Sequence, residues 1–153
     1  MTTTAHGLDE LKALAGTDLG HTGWLEITQE RVNTFADATN DHQWIHVDRE
    51  RAAAGPFGTT IAHGFLTLSL LSNMAYQVCP TIEGVKFPLN YGFNRLRFVA
   101  PVPVNSRVRA HFVLKDVEAL DDTQRQIVYE VSVEIEGRPK PALVAEWLTR
   151  IIV

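Results

Sequence analysis

Two side chains suited to proton transfer, Asp41 and His46, stand five residues apart in a polar stretch of this 153-residue chain. A carboxylate and an imidazole at this spacing can hold one water molecule between them and move its protons. Gly64 follows at the start of a predicted apolar helix, where a backbone N–H without an intrahelical partner can stabilise negative charge. Together these residue types predict an acid/base pair beside an anion-stabilising donor.

Each of these residues also has an ordinary structural interpretation. Asp41 alone is typical of a helix terminus, and His46 alone is typical of a protein surface. His63, beside Gly64, is more typical of a helix cap or a hydrogen-bonding support than of a second base. Asp41, His42 and His46 imitate a metal-binding set, with two histidines at positions i and i+4. We expect no metal, because no further histidine or glutamate follows at helical spacing.

The composition limits the functional class. The formal net charge is -4 and the pI is near 5.8, and the chain has no run of like charges, so we expect no nucleic-acid partner. The single cysteine, Cys79, cannot form an internal disulfide, and its apolar neighbours favour a packed thiol in a reducing compartment. No segment has the roughly 18 uninterrupted apolar residues that span a bilayer, and no signal-peptide pattern opens the sequence. We therefore expect a soluble, cytoplasmic protein without a membrane partner.

Helical patterns surround the polar residues. A short one over Leu8–Ala15 belongs to a peripheral N-terminal segment, residues 1–20. Thr28 is placed to cap a helix that delivers the carboxylate of the acid/base pair at its end, and Asp48 is placed to cap a further turn. A strongly apolar pattern over residues 63–78 predicts one long helix that is buried on most sides.

The rest of the chain changes to a period of two. Alternating apolar residues predict strands over residues 24–27, 85–98, 108–114, 127–135 and 142–152. A phase slip near Gly92 predicts a bulge, and apolar groups on both faces of residues 142–152 predict an interior strand. These elements predict an α+β fold, a single domain over residues 1–153 in which an antiparallel sheet wraps around a long central helix. This is the outline of a hot-dog fold.

Three motifs carry a family resemblance: DHQWIH at 41–46, IAHGF at 61–65 and RFVAPVP at 97–103. Together they resemble the signature of the MaoC-like dehydratases, which include the R-specific enoyl-CoA hydratases. The likeness is strongest to the branch similar to nodulation protein N. It extends over about residues 20–152, nearly the whole chain.

The resemblance implies a reaction and a set of site residues. The reaction is the reversible syn addition of water to trans-2-enoyl thioesters, giving R-3-hydroxyacyl thioesters, with no metal and no other cofactor. The family's catalytic aspartate and histidine fall on Asp41 and His46, and the glycine whose N–H binds the thioester carbonyl falls on Gly64. Ser72 matches a serine that supports the aspartate in some members, and we interpret His63 as a further support.

The resemblance also implies partners. The substrate is an enoyl-CoA or an enoyl group on acyl carrier protein, and the protein is a homodimer whose substrate tunnel crosses the subunit boundary. The loop that carries Asp41 is then expected near strand residues 90–98 of the second chain. The sequence departs from the family at Gln43-Trp44, where many hydratases have Asn-Pro, and this change affects the shape of the loop and the acyl preference.

Two other functions stay open on the same residues, because a fold does not fix a function. An acyl-CoA thioesterase would place water at the carbonyl carbon and release free thiol. A non-catalytic acyl-thioester-binding module would bind without turnover. The arginines of the predicted strands are typical of a solvated face, and we assign no CoA contact to Arg95, Arg97, Arg107 or Arg109.

Overall fold

The fold is built on an antiparallel sheet, which packs against two consecutive short helices. The computed structural model describes residues 2–153, and Met1 lies outside the described residues. The strands are β1 (Thr4–Ala5), β2 (Asp18–His21), β3 (Leu25–Glu26), β4 (Thr81–Ile82), β5 (Phe87–Phe98), β6 (Arg107–Ala119), β7 (Gln124–Ile135) and β8 (Leu143–Ile152). The helices are α1 (Leu8–Ala13), α2 (Gln29–Thr39), α3 (Trp44–Val47), α4 (Arg49–Ala53), α5 (Gly64–Ser69) and α6 (Leu71–Val78).

The main sheet has the order β2-β6-β7-β8-β5, with β3 also paired to β6, and every pairing in it is antiparallel. The interior position predicted for residues 142–152 is confirmed, because β8 lies between β7 and β5. The register between β5 and β8 shifts at Asn90–Gly92 and again at Phe93–Arg95. The predicted bulge near Gly92 is therefore confirmed, and so is the antiparallel hot-dog architecture.

The apolar segment 63–78 differs from the single long helix that its pattern predicts. It forms α5 and α6, separated at Leu70, whose backbone stays in the right-handed helical region with φ -69° and ψ -18°. The inner face is buried through residues such as Leu71 and Met74. The outer face exposes Phe65 and Tyr76, with 66% and 75% of their surface accessible. The helical segment is therefore covered by the sheet on one side only.

The N-terminal segment is more than peripheral, and this corrects the expectation for residues 1–20. Ala5 and Leu11 are each only 1% exposed and belong to the hydrophobic core. β1 pairs with β4, and β2 pairs with the edge of β6. α1 also lies against β6, which is 13 residues long, so its short apolar stripe covers part of the apolar face of that strand.

The predicted caps hold the helices that flank the polar loop. The Thr28 side chain accepts a hydrogen bond from the Arg31 N–H at the start of α2. The Asp48 side chain accepts one from the Arg51 N–H at the start of α4. Both bonds satisfy backbone donors that have no partner within the helix. No helix within residues 2–153 has the length and apolar character needed to cross a membrane.

Candidate active site

The loop that carries Asp41 begins with a sharp change in chain direction after α2. Asn40, the C-cap residue, adopts the left-handed conformation with φ 57° and ψ 25°. Asparagine tolerates this conformation better than most residues with a side chain. The carboxylate of Asp41 is half exposed, at 53% of its side-chain surface, and its Oδ1 lies 3.3 Å from the Gln43 N–H.

His46 is buried on α3, with 6% of its surface exposed. Its Nδ1 lies 2.7 Å from the carbonyl oxygen of Ile61. A carbonyl oxygen only accepts hydrogen bonds, so Nδ1 carries the proton and Nε2 of the neutral ring is left as an acceptor. The Gln29 side-chain amide donates to the backbone carbonyl of His46 at 2.8 Å and anchors this turn to α2.

His63 joins the two halves of the site. It is 3% exposed, and its ring stacks on that of His46 with centroids 3.8 Å apart and an interplanar angle of 22°. Its Nε2 donates to the backbone carbonyl of Asp41 at 2.9 Å and lies 3.9 Å from Oδ2 of the same residue. This contact pattern fits a support that holds the Asp41 loop against the His46 ring.

Gly64 opens α5 directly after His63. A Cβ atom at this position would lie 3.0 to 3.2 Å from ring atoms of Phe98, closer than side-chain atoms normally approach. A larger residue here would have to displace the Phe98 ring by a few tenths of an ångström, and glycine avoids this displacement. As the first residue of the helix, Gly64 has an N–H without an intrahelical partner.

One cavity of about 350 Å³ is lined by two of these groups, whereas Asp41 and His63 are not among its lining residues. His46 and Gly64 line it, and so do three residues that the sequence did not single out as functional: Ile61, Thr67 and Phe98. The remaining lining residues are Ala62, Phe65, Val99, Ala100, Pro101, Val102 and Ala142. The sequence motif RFVAPVP did point to the region of Phe98, because residues 98–102 of this motif line the cavity. No sequence signal distinguished Thr67 from the other small polar residues of its helix.

Ser72 does not line this cavity, and its expected support of Asp41 stays a prediction. It accepts a hydrogen bond from the Asn90 side chain at 3.5 Å and lines a second cavity of about 400 Å³. Ser72 follows Gly64 by eight residues, which is roughly 12 Å along a helix at about 1.5 Å per residue. Cys79 lines the same second cavity, and burial raises the pKa of its thiol to about 12. A thiol with this pKa is not a nucleophile at neutral pH.

The structure brings together a different possible metal-binding group from the one considered in the sequence. His42 bonds Asp37 at 2.8 Å on the surface. Asp41, His46 and His63 instead each offer one ligand atom within 4.8 Å of the others. The His63 nitrogen that faces Asp41 carries a proton, because it donates to a carbonyl. A protonated ring nitrogen cannot bind a metal ion, and this tautomer opposes metal binding.

Trp44 has a structural role at the position where the sequence departs from the family motif. Trp44 begins α3, and its ring would lie 3.1 Å from a Cβ atom at Gly55. The guanidinium of Arg51 stacks over the other part of the ring, 4.4 Å from its centroid. The tryptophan thus fixes the loop between α3 and α4 by packing, at a position where many hydratases have proline.

Burial sets the charge state of His46. Desolvation lowers the pKa of His46 below its usual value, and the nearby His63 lowers this pKa further. The hydrogen bond to the Ile61 carbonyl and the carboxylate of Asp41 act in the opposite direction without reversing the shift. At neutral pH the ring is therefore neutral, with Nε2 free to accept a proton.

We expect NMR titration to place the pKa of His46 below 6.5, the ordinary histidine value. His6 is the matched control, because its hydrogen bond to Glu83 raises its pKa above that value. As the pH falls below about 6.5, the unfolded chain protonates at position 46 before the folded protein does, so this residue's contribution to stability is lost toward acid. A His46 resonance that titrates above that of His6 would contradict the assignment.

Comparisons with known proteins place the chain among related sequences. The family model described as "MaoC like domain" matches residues 10–136. The 3-hydroxyacyl-thioester dehydratase Z of Mycobacterium tuberculosis is 56% identical, with 97% of this chain and 98% of that protein covered. Nodulation protein N of Rhizobium meliloti is 49% identical, with 92% of this chain and 88% of that protein covered.

Solved structures show the same architecture. The (R)-hydratase from A. caviae involved in PHA biosynthesis superposes with a TM-score of 0.69 and 25% identity, over 88% of this chain and 94% of that one. The monoamine oxidase regulatory protein from Archaeoglobus fulgius superposes with a TM-score of 0.81 and 23% identity, over 99% of this chain and 97% of that one. The sequence and structural similarities lead to one conclusion: the chain belongs to the MaoC-like dehydratase family.

Proposed function

We propose that the protein is a hydro-lyase, an R-specific enoyl-thioester hydratase that adds water reversibly to trans-2-enoyl thioesters. The observation that carries this proposal is the buried His46 ring, whose Nε2 is free as an acceptor, which has a nitrogen within 4.8 Å of an Asp41 carboxylate oxygen, and which lines one cavity with Gly64. The (R)-hydratase and dehydratase relatives support the same reaction class. The substrate is an enoyl-CoA or an enoyl group on acyl carrier protein.

The proposed mechanism uses one water molecule held between Asp41 and His46 Nε2. Its oxygen attacks the β-carbon while the pair accepts one of its protons, and a proton is then delivered to the α-carbon. Because both transfers come from the same side of the substrate, the addition is syn. The product is an R-3-hydroxyacyl thioester, and the reverse reaction removes water.

The Gly64 N–H has a separate role in this proposal. Attack at the β-carbon moves electrons from the double bond toward the thioester oxygen, which becomes enolate-like. A fixed donor aimed at that oxygen stabilises the transition state more than the ground state. In other enzymes, removal of one such donor costs about 3–4 kcal/mol of transition-state stabilisation.

The direct test is incubation with crotonyl-CoA while enoyl absorbance and free thiol are both followed. A hydratase consumes the enoyl absorbance and releases no thiol. Thiol release at the same rate would instead indicate a thioesterase, which acts at the carbonyl carbon. Saturable binding with neither change would indicate a non-catalytic acyl-thioester-binding module.

We expect Asp41→Asn and His46→Gln each to lower kcat by about 10²- to 10⁴-fold, because each removes a proton-transfer group from the same water. The matched control is His42→Gln, since His42 lies in the same loop but contacts Asp37 on the surface. Circular dichroism would check that all three variants remain folded. Wild-type turnover in either dyad variant would exclude that residue from the mechanism.

We expect exhaustive treatment with a chelator to leave hydration unchanged. The reaction as proposed needs only proton transfer and hydrogen bonding, and the proton on His63 Nε2 opposes metal binding by the three-residue group. Hydration rates before and after treatment, and after addition of Zn²⁺, are the measurement. Loss of activity with recovery on Zn²⁺ would establish a metal site at Asp41, His46 and His63.

We propose that the protein works as a homodimer, and the edge of the sheet is the feature that supports this. In the described part of the chain, β5 pairs on one side only, with β8. It is 12 residues long, and it exposes five large apolar side chains at 36% to 57% of their surface: Phe87, Leu89, Tyr91, Phe93 and Phe98. A long apolar edge strand is an association surface, and two-fold pairing would cover it in both copies. The proposed substrate tunnel crosses this boundary and gives two equivalent sites.

Sedimentation at micromolar concentration is expected to show a dimer, and activity is expected to fall on dilution in step with dissociation. Leu89→Lys, on the exposed face of β5, should weaken the dimer because it places a charge at the proposed interface. Leu120→Lys is the matched control, because Leu120 is exposed outside β5. A fully active monomer would contradict the shared site.

A further inference from the structure

Thr67 is the one residue of α5 whose polar atom is buried without a partner. It is 2% exposed, and its Oγ1 has no hydrogen bond to any other residue in the described part of the chain. Its backbone N–H bonds the His63 carbonyl at 3.3 Å. A buried hydroxyl without a partner is unfavourable for folding, and such groups are typical of functional sites.

Three other helical hydroxyl groups make a hydrogen bond that Thr67 does not make. Thr34, Thr39 and Ser69 each donate to the carbonyl four residues earlier, at 2.9, 2.7 and 2.7 Å respectively. Helical threonine and serine side chains commonly make this bond. The corresponding carbonyl for Thr67 belongs to His63, and the Thr67 hydroxyl does not bond it. Its hydroxyl is therefore free to serve another acceptor.

The position of Thr67 at the cavity indicates which acceptor its hydroxyl can serve. Thr67 lines the same cavity as His46 and Gly64. It follows Gly64 by three residues, so the two lie on neighbouring positions of one helix face. Helical side chains lean toward the helix N-terminus, which directs the Thr67 hydroxyl toward the end where the Gly64 N–H is free. Thr67 and Gly64 thus place a side-chain donor and a backbone donor on one face of the same helix, at the wall of this cavity.

We propose that Thr67 is a second donor to the thioester carbonyl, beside the Gly64 N–H. This inference rests on the proposed hydration of an enoyl thioester. A carbonyl oxygen has two lone pairs and accepts two hydrogen bonds, and the hydroxyl donates to the one that Gly64 leaves unused. As the oxygen gains enolate charge in the transition state, both bonds strengthen. The Thr67 hydroxyl thereby binds the reacting group itself.

Three variants test this role with crotonyl-CoA. Thr67→Val keeps the shape and removes the hydroxyl, and we expect kcat to fall about 100-fold with little change in KM. Thr67→Ser keeps the hydroxyl and is expected to retain most of the wild-type kcat. Ser69→Ala is the control on the same helix, because Ser69 is exposed and bonds only the Phe65 carbonyl; its kcat is expected to equal that of the wild type.

Thermal unfolding separates this role from a structural one. Because Thr67→Val removes a buried hydroxyl that has no partner in the free protein, we expect an unchanged or higher Tm together with the lower kcat. A residue that only supports the fold would lose Tm and kcat together, and that result would overturn the proposal.

The carbonyl stretch of bound crotonyl-CoA gives a second readout, measured by infrared spectroscopy in the His46→Gln background to prevent turnover. We expect the stretch to shift back toward its value in solution when Thr67→Val is added. An unchanged stretch, or full wild-type kcat in Thr67→Val, would overturn the proposal. A wild-type protein that does not hydrate crotonyl-CoA would instead contradict the proposed function.

Discussion

The hydrogen bond between His46 Nδ1 and the Ile61 carbonyl is the constraint on which the rest of the site depends. It fixes the tautomer of the imidazole and therefore decides which nitrogen faces the cavity. The Ile61 carbonyl is itself held in place, because the Ile61 N–H bonds the Ile45 carbonyl at 3.0 Å and Ile61 pairs with Pro103. A shift of the segment between β5 and β6, which contains Pro103, would thus move the His46 ring.

Burial and exposure are divided unequally among the functional groups. His46 and His63 are almost fully buried and stacked, whereas Asp41 is half exposed at the mouth of the loop. Burial lowers the pKa of His46 and so keeps its ring neutral, with Nε2 able to accept a proton. Two buried polar atoms, His63 Nδ1 and Thr67 Oγ1, lack a partner in the described chain. These two unpaired atoms lower the stability of the fold at the candidate active site.

Much of this arrangement was predictable, because several signals were local. The period-two pattern located the long strands, the phase slip located the bulge near Gly92, and Thr28 and Asp48 were recognisable as caps. The motif around Asp41, His46 and Gly64 pointed to residues that the structure brings together. The separation of the two helices at Leu70 and the position of Ser72 in the second cavity were not predictable, since both depend on how the sheet packs on the helices. Thr67 was missed because only the structure shows that its hydroxyl departs from the usual helical bond.

The polar residues of the site lie within one uninterrupted stretch, from Asp41 to Thr67, while the strands β5 to β8 follow one another afterwards. The polar stretch and the four strands therefore contribute to the fold largely independently of each other. After gene duplication, one copy can lose the Asp41 carboxylate and still keep the sheet and its apolar edge, because this side chain is half exposed and lies outside the strands. Such a copy can persist as a folded partner of an active one. This order of segments favours the evolution of paired subunits in which a single chain retains the catalytic groups.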